Sequence, residues 1–376
     1  MNMLHGVQYL RAVAAVAVVV FHAAERGGGR FPIGAAGVDV FFVVSGFIMW
    51  VLAGTRRPSA FTFLRERAER IVPLYWIATA VMVAGGLADL FPNMRLTGFH
   101  VFGSFAFIPH RSPSDGGLWP VLVQGWTLNY EMFFYLLFAA MLPLAAAARF
   151  RALAVALAGL VCLGLIFAPQ GAALRTYTSP LLVEFLIGAA IGRLWLAGRM
   201  PPAAAGWMLI AFSVAGLAVV GTTYAGFNAF VLGPLAGVLL VGVLSLEKAG
   251  LVRRFGPATY LGDASYSIYL WHTMAISVLA GFSALLALPV SATVCLAIGS
   301  SLALGLACHE FIERPVAAFF KSRRGIPAIG PAMQPATAPF DPGPRQRISC
   351  PRSRRTDPAG GSASRHGGRP CRPARR

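Results

Sequence analysis

Apolar runs of about 20 residues recur along the chain as far as residue 311, separated by short polar stretches, and each is long enough to cross about 30 Å of hydrocarbon. A sliding window of about 19 residues isolates ten of them, near 7–24, 34–53, 71–90, 121–146, 152–168, 180–197, 204–221, 227–246, 265–287 and 290–311. The first contains Arg11, follows no basic segment and lacks a small-x-small cleavage site, so it reads as a retained helix rather than a leader. The pattern predicts an all-α, polytopic membrane protein of about ten transmembrane helices. Its longest outer connection, 91–120, holds an apolar stretch from Phe99 to Ile108 that is too short to span, and so is either re-entrant or interfacial.

Composition agrees with this reading. Of 376 residues 57% are hydrophobic and 12% charged, and the mean hydropathy is +0.66; ordinary soluble domains carry about twice that share of charge. The net charge of +18 would point to nucleic acid in a soluble protein, but from Lys321 onward 13 Lys/Arg face two acids, so most of it belongs to the tail. No nucleic-acid partner is expected. The same 56 residues hold ten prolines and seven glycines and few apolar positions, too little to offset the entropy of ordering. The chain therefore divides into a membrane domain, 1–320, and a disordered basic tail, 321–376.

Placing the N-terminus in the cytoplasm puts 16 Lys/Arg at cytoplasmic helix ends and loops, and leaves five outside: Arg26, Arg30, Arg95, Arg111 and Arg175. The positive-inside rule selects this orientation, with both termini cytoplasmic. The five cysteines form no disulfide framework, since Cys162, Cys295 and Cys308 lie in apolar runs and Cys350 and Cys371 in the tail. With no C-x-x-C pair and no H-E-x-x-H, no metal is expected.

Arg11 and His22 lie in the first helix with ten residues between them, which sets them about 20° apart around the axis and about 16 Å apart along it. They share one face. Both are costly in lipid, so that face lines an enclosed or watery cavity, or else Arg11 snorkels inward and His22 bonds a helix carbonyl. Asp39, in the outer part of the second helix, stands near the level of His22; it either orients the imidazole or packs against backbone donors. Arg67 and Arg70, three residues apart before the third span, share a helix face. They suit phosphate, or simply supply cytoplasmic charge. Glu131 is an acid in an aromatic setting near the outer start of the fourth span, where a carboxylate needs a partner or a task. Tyr269 and His272, within Tyr260–His272, set a hydroxyl and an imidazole on the cytoplasmic half of the ninth, where the imidazole has a packing role as its alternative.

Together these residues resemble the acyltransferase-3 integral membrane acyltransferases, which modify O-antigen, exopolysaccharide and related glycans. The resemblance rests on Arg11-x10-His22, Gly37 to Phe47, Arg67-x-x-Arg70-Ile-x-Pro-x-Tyr, Trp126 to Tyr135 and Tyr266-Ser-Ile-Tyr-Leu-Trp-His272, in family order over residues 4–318. Trp126–Tyr135 is most similar to the succinoglycan-type exopolysaccharide O-acetyltransferases, although many of those carry a second acid where this chain has Met132.

The resemblance implies a bacterial inner-membrane enzyme that moves an acyl group, above all acetyl, from cytoplasmic acyl-CoA to a hydroxyl of a glycan or lipid-linked oligosaccharide outside. Acetyl-CoA would be a substrate, with no cofactor held permanently. His22, Asp39 and Glu131 are the expected catalytic group, with His22 as base or acyl carrier and either acid orienting it. Arg11, Arg67, Arg70, Tyr269 and His272 are the expected donor-binding group. A secondary transporter or glycan flippase is the rival from composition alone. The cytoplasmic Arg-x-x-Arg, the motif order and the lack of evident two-fold sequence repetition weigh against it.

Overall fold

The computed structural model describes residues 4–91, 93–223, 228–285 and 288–323, and among these all regular structure is helical. The order is α1 (His5–Arg26), α2 (Gly37–Arg56), α3 (Ala60–Leu87), α4 (Gly98–Phe105), α5 (Gly125–Met141), α6 (Ala146–Phe167) and α7 (Ala172–Tyr177). It continues through α8 (Leu182–Leu196), α9 (Ala203–Thr223), α10 (Ala229–Lys248), α11 (Gly256–Asp263), α12 (Ser265–Leu285), α13 (Val290–Cys308) and α14 (Arg314–Arg323). A 3₁₀ turn, Pro32–Ala36, leads into α2, and a π turn, His309–Glu313, joins α13 to α14. Helices suit such a sequence because a lone helix satisfies its own backbone groups where water is absent.

Helices occupy all ten predicted windows. Eight helical stretches among the described residues are long and apolar enough to cross a membrane. The other two windows hold α5, which has 17 residues, and α12, whose first half carries hydroxyls, an indole and an imidazole.

Local signals explain several helix starts. Ser59 and Thr97 accept hydrogen bonds from the backbone N–H groups of Thr62 and His100, and Asn228 from that of Phe230. α1 has no cap of its own. Instead the Glu247 carboxylate, at the end of α10, accepts from the N–H groups of His5 (3.0 Å) and Gly6 (2.6 Å) and ties the first helix to the tenth.

α2 is the most enclosed span, with 83% of its apolar window buried against 11% for α9. It packs on α8 almost backbone to backbone: a Cβ on Gly46 would overlap the Phe185 carbonyl, and one on Gly188 the Val43 carbonyl. α5 is short because the chain ahead of it runs inside the protein, with Val121, Leu122 and Gln124 buried. Within the apolar 99–108 stretch, α4 exposes Phe99 and Phe102 and buries His100 and Ser104. Tyr75 of α3 donates to the Ser104 carbonyl (3.1 Å), and the Ser104 hydroxyl accepts from the Val121 N–H (2.8 Å), so the connection between α3 and α5 is bonded to the helices.

α14 carries the helical chain to Arg323, so Lys321–Arg323 are helical although the sequence reads them as the start of the tail. The remainder of that tail, 324–376, lies outside the described residues.

Candidate active site

Two cavities open into the bundle. The inner one, about 100 Å³, is lined by α1, α2, α3, α5 and α12 and gathers Arg11, Arg67, Arg70, Ser45, Glu131 and Tyr266. The outer one, about 1130 Å³, takes in His22, Trp119, Trp126, Arg111 and Arg175. Val38 and Tyr269 line both.

Arg11 is buried and held by a chain of side chains. Its Nη1 donates to Gln8 Oε1 (2.9 Å) and its Nη2 to Ser265 Oγ (2.8 Å), while Gln8 Nε2 donates to Asp263 Oδ1 (2.9 Å). Each link fixes the next. Arg67 is also buried; its Nη2 lies 3.8 Å from Glu66, and its Nε has no hydrogen-bond partner. A buried guanidinium with an unfilled donor beside a cavity is equipped to receive an anion from that cavity. Arg70 is exposed at the same mouth.

Glu131 belongs to this inner group. Its Oε1 accepts from Ser45 Oγ (3.0 Å) and, closely, from the Tyr135 hydroxyl one turn along α5. The sequence places Glu131 near the outer face beside His22, and the structure corrects that level. Val121, Leu122 and Gln124 are already buried before α5 begins, so a residue two turns into α5 lies deep enough to meet the arginines.

His22 faces the outer cavity with its side chain 36% exposed. Its Nδ1 lies 3.7 Å from Glu25 on the same helix, and its ring centroid is 5.2 Å from that of His272. His272, grouped by sequence with the donor-binding arginines on the cytoplasmic half, instead packs here and is fully buried. Its Nδ1 is 2.6 Å from the Tyr269 carbonyl, which can only accept, so Nδ1 carries the proton and a neutral ring bears its lone pair on Nε2. That Nε2 has no hydrogen-bond partner.

The structure pairs Asp39 with Glu184 rather than with His22. The Asp39 carboxyl is fully buried and lies beside that of Glu184 from α8. The close α2–α8 packing that Gly46 and Gly188 permit brings the two acids together. Glu184, an acid alone in an apolar run, was the sequence signal for this pair. Tyr135 was signalled by its i+4 spacing from Glu131, whereas nothing local marked Ser45 or Ser265 as partners.

Tyr269, which lines both cavities, is tethered to α5. Thr127 donates to the Gln124 carbonyl (3.0 Å), so the Tyr269 hydroxyl, 3.0 Å from Thr127 Oγ1, is the donor to it. Gln124 in turn bonds Thr273 closely, completing a polar link between α5 and α12.

A sequence profile for the acyltransferase domain of the acyltransferase-3 type matches residues 4–310. The chain belongs to the acyltransferase-3 family. This acyltransferase is 50% identical over 306 residues to the exopolysaccharide production protein ExoZ of Rhizobium meliloti, covering 81% of this chain and 96% of that one. It is 28% identical to the putative membrane-bound transacylase BcsY of Komagataeibacter xylinus, over 70% of each chain. It is 26% identical to the peptidoglycan O-acetyltransferase OatA of Listeria monocytogenes, over 70% of this chain but about half (48%) of that relative's length. No solved structure matches. The family assignment decides between the enzyme and the transporter in favour of a multi-pass membrane acyltransferase.

Proposed function

We propose that this acyltransferase carries an acyl group, acetyl in the first instance, from acyl-CoA at the inner cavity to a glycan hydroxyl at the outer one. The observation that carries the reading is the pair of cavities meeting at Val38 and Tyr269, one furnished with arginines and the other with an accessible imidazole. In this reading ten helices cross the inner membrane of a bacterium, both termini are cytoplasmic, and the inner cavity opens to the cytoplasm.

Arg67 and Arg70 receive the donor's phosphates through charge-assisted hydrogen bonds. Arg11, fixed by Gln8 and Ser265, adds its positive charge along the donor's path through the inner cavity. Glu131, tied to Ser45 and Tyr135, balances the arginines. The acyl end enters the outer cavity as Tyr269 swings aside. There His22 takes the proton of the acceptor hydroxyl as its oxygen attacks the thioester carbon; the C–S bond breaks, CoA leaves as thiolate, and the glycan gains an ester. His272, packed beside His22 with an unfilled Nε2, is a positioning residue for the His22 ring.

The test uses the purified full chain in vesicles supplied with acetyl-CoA and a lipid-linked oligosaccharide. Free CoA thiol and glycan acetate should rise together in equal amounts. Thiol release with no acetate on the glycan would overturn the reading.

A further inference from the structure

We propose that the outer cavity recognises a saccharide bearing an oxyanion, with Arg111 and Arg175 reading the charge and Trp119 and Trp126 supporting the sugar rings. The side on which the cavity opens rests on the acyl-transfer reading above, but binding itself does not require transfer.

Arginine is scarce on the outer segments, where the positive-inside bias works against it. Only five basic residues fall there, and Arg111 and Arg175 both line this one cavity. Neither takes part in an ion pair among the described residues. The Arg111 guanidinium is held at the wall, its Nη1 donating to the Gly116 carbonyl (3.1 Å) and its Nη2 to that of Gln170 (3.3 Å). Two separate loops thus hold a cation whose charge they leave unneutralised. Arg175, in the last turn of α7, is exposed. Glu25, the acid on the lining, stands beside His22, so the arginines remain in excess.

The aromatic wall is equally specific. Trp119 and Trp126 meet edge to face at 6.4 Å, and Trp126 meets Tyr130 in the same way at 5.8 Å. A Cβ on Gly117 would run into the Trp119 ring, so the indole lies folded back on the 112–117 turn. That turn is closed by Ser112 N–H to the Gly117 carbonyl (2.7 Å) and Gly116 N–H to the Ser112 carbonyl (2.9 Å). Indole faces suit the C–H faces of pyranose rings, whereas a forked guanidinium matches carboxylate or phosphate better than a hydroxyl. The volume exceeds that of ordinary small-molecule pockets, which suits several sugar units rather than one. The oxyanion has two possible sources: a carboxylate on a sugar, or the phosphate that joins a glycan to its lipid.

Tryptophan fluorescence of the full chain in detergent tests the proposal with three probes: a carboxylated oligosaccharide, the same oligosaccharide with its carboxyls reduced to alcohols, and a polyprenyl-diphosphate sugar. At least one charged probe should bind about tenfold or more tighter than the reduced one. Arg111→Gln and Arg175→Gln should each remove most of that difference and leave the reduced probe unchanged. Arg175→Gln disturbs no ion pair among the described residues, so it guards against loss of fold in the first variant. The charged probe that loses affinity identifies the source of the oxyanion. Equal binding of all three probes, or wild-type affinity in both variants, would overturn the proposal. Failure of the acyl-transfer reading would look different: charge-dependent binding with no acetate delivered.

Discussion

The inner and outer cavities are built on opposite plans. The inner one is small, and most of its polar groups are tied to protein partners: Arg11 to Gln8 and Ser265, and Glu131 to Ser45 and Tyr135. The outer one is roomy, its imidazole is partly exposed, and its arginines stand at the rim on loops and a six-residue helix. Fixed, presatisfied charge suits one donor met at every turnover, because little reorganisation is left to do. A wide aromatic vestibule suits a polymer that arrives in many conformations, and its selectivity can be altered by loop changes that leave the bundle untouched.

The most damaging test of that contrast is His22→Ala. If the outer cavity holds the chemistry, this variant should insert normally and leave the isolated polysaccharide without acetate by NMR. Normal acetate content would move the chemistry elsewhere. Arg67→Ala and Arg70→Ala probe the inner plan: a charge-assisted phosphate contact contributes about 1.5–3 kcal/mol, so the KM for acetyl-CoA should rise by tens of fold while the KM for the glycan holds. Parallel rises in both constants would erase the division of labour.

A smaller effect concerns the outer segment that carries the vestibule wall. His110 Nδ1 lies 2.7 Å from the Ile108 carbonyl and His110 Nε2 lies 2.8 Å from His100 Nδ1. The carbonyl can only accept, so His110 Nδ1 donates there, and His110 Nε2 is left to pair with His100 Nδ1. Burial, and then the neighbouring His110 ring, push the His100 imidazole down to about 4. A value depressed in the fold means that the unfolded chain binds more protons. The pair's contribution is therefore complete above about pH 6.5 and fades as pH falls toward 4. The unfolding temperature in detergent should drop across that window in the parent and change less in His100→Asn; identical slopes would count against it. The smallest effect expected is none: truncation after Arg324 removes no residue of either cavity, and acetate content at equal membrane abundance should match the parent.

The helices were legible in the sequence because apolar runs of spanning length leave the backbone one cheap solution. Arg11 and His22 were legible for a similar reason, since helix geometry alone sets their face and spacing. Partnerships between helices were not. Asp39 and His22 stand at similar heights on neighbouring helices, yet the small residues Gly46 and Gly188 draw α2 onto α8 and give Asp39 to Glu184. Glu131 was misplaced because hydropathy does not register that Val121, Leu122 and Gln124 are already buried ahead of α5. The rim arginines enter the sequence reading only as two of the five basic residues left outside, and it is folding that brings positions 111 and 175 to one cavity.

The Tyr269 side chain, bonded to Thr127 where the cavities meet, has an electrical consequence as well. A hollow on each face of a membrane protein is half of an ion leak, and each elementary charge moved through 100 mV dissipates about 2.3 kcal/mol of stored energy. An acyl group is neutral, so a constriction that yields to it while excluding hydrated ions would let ester chemistry proceed across the bilayer without discharging the cell.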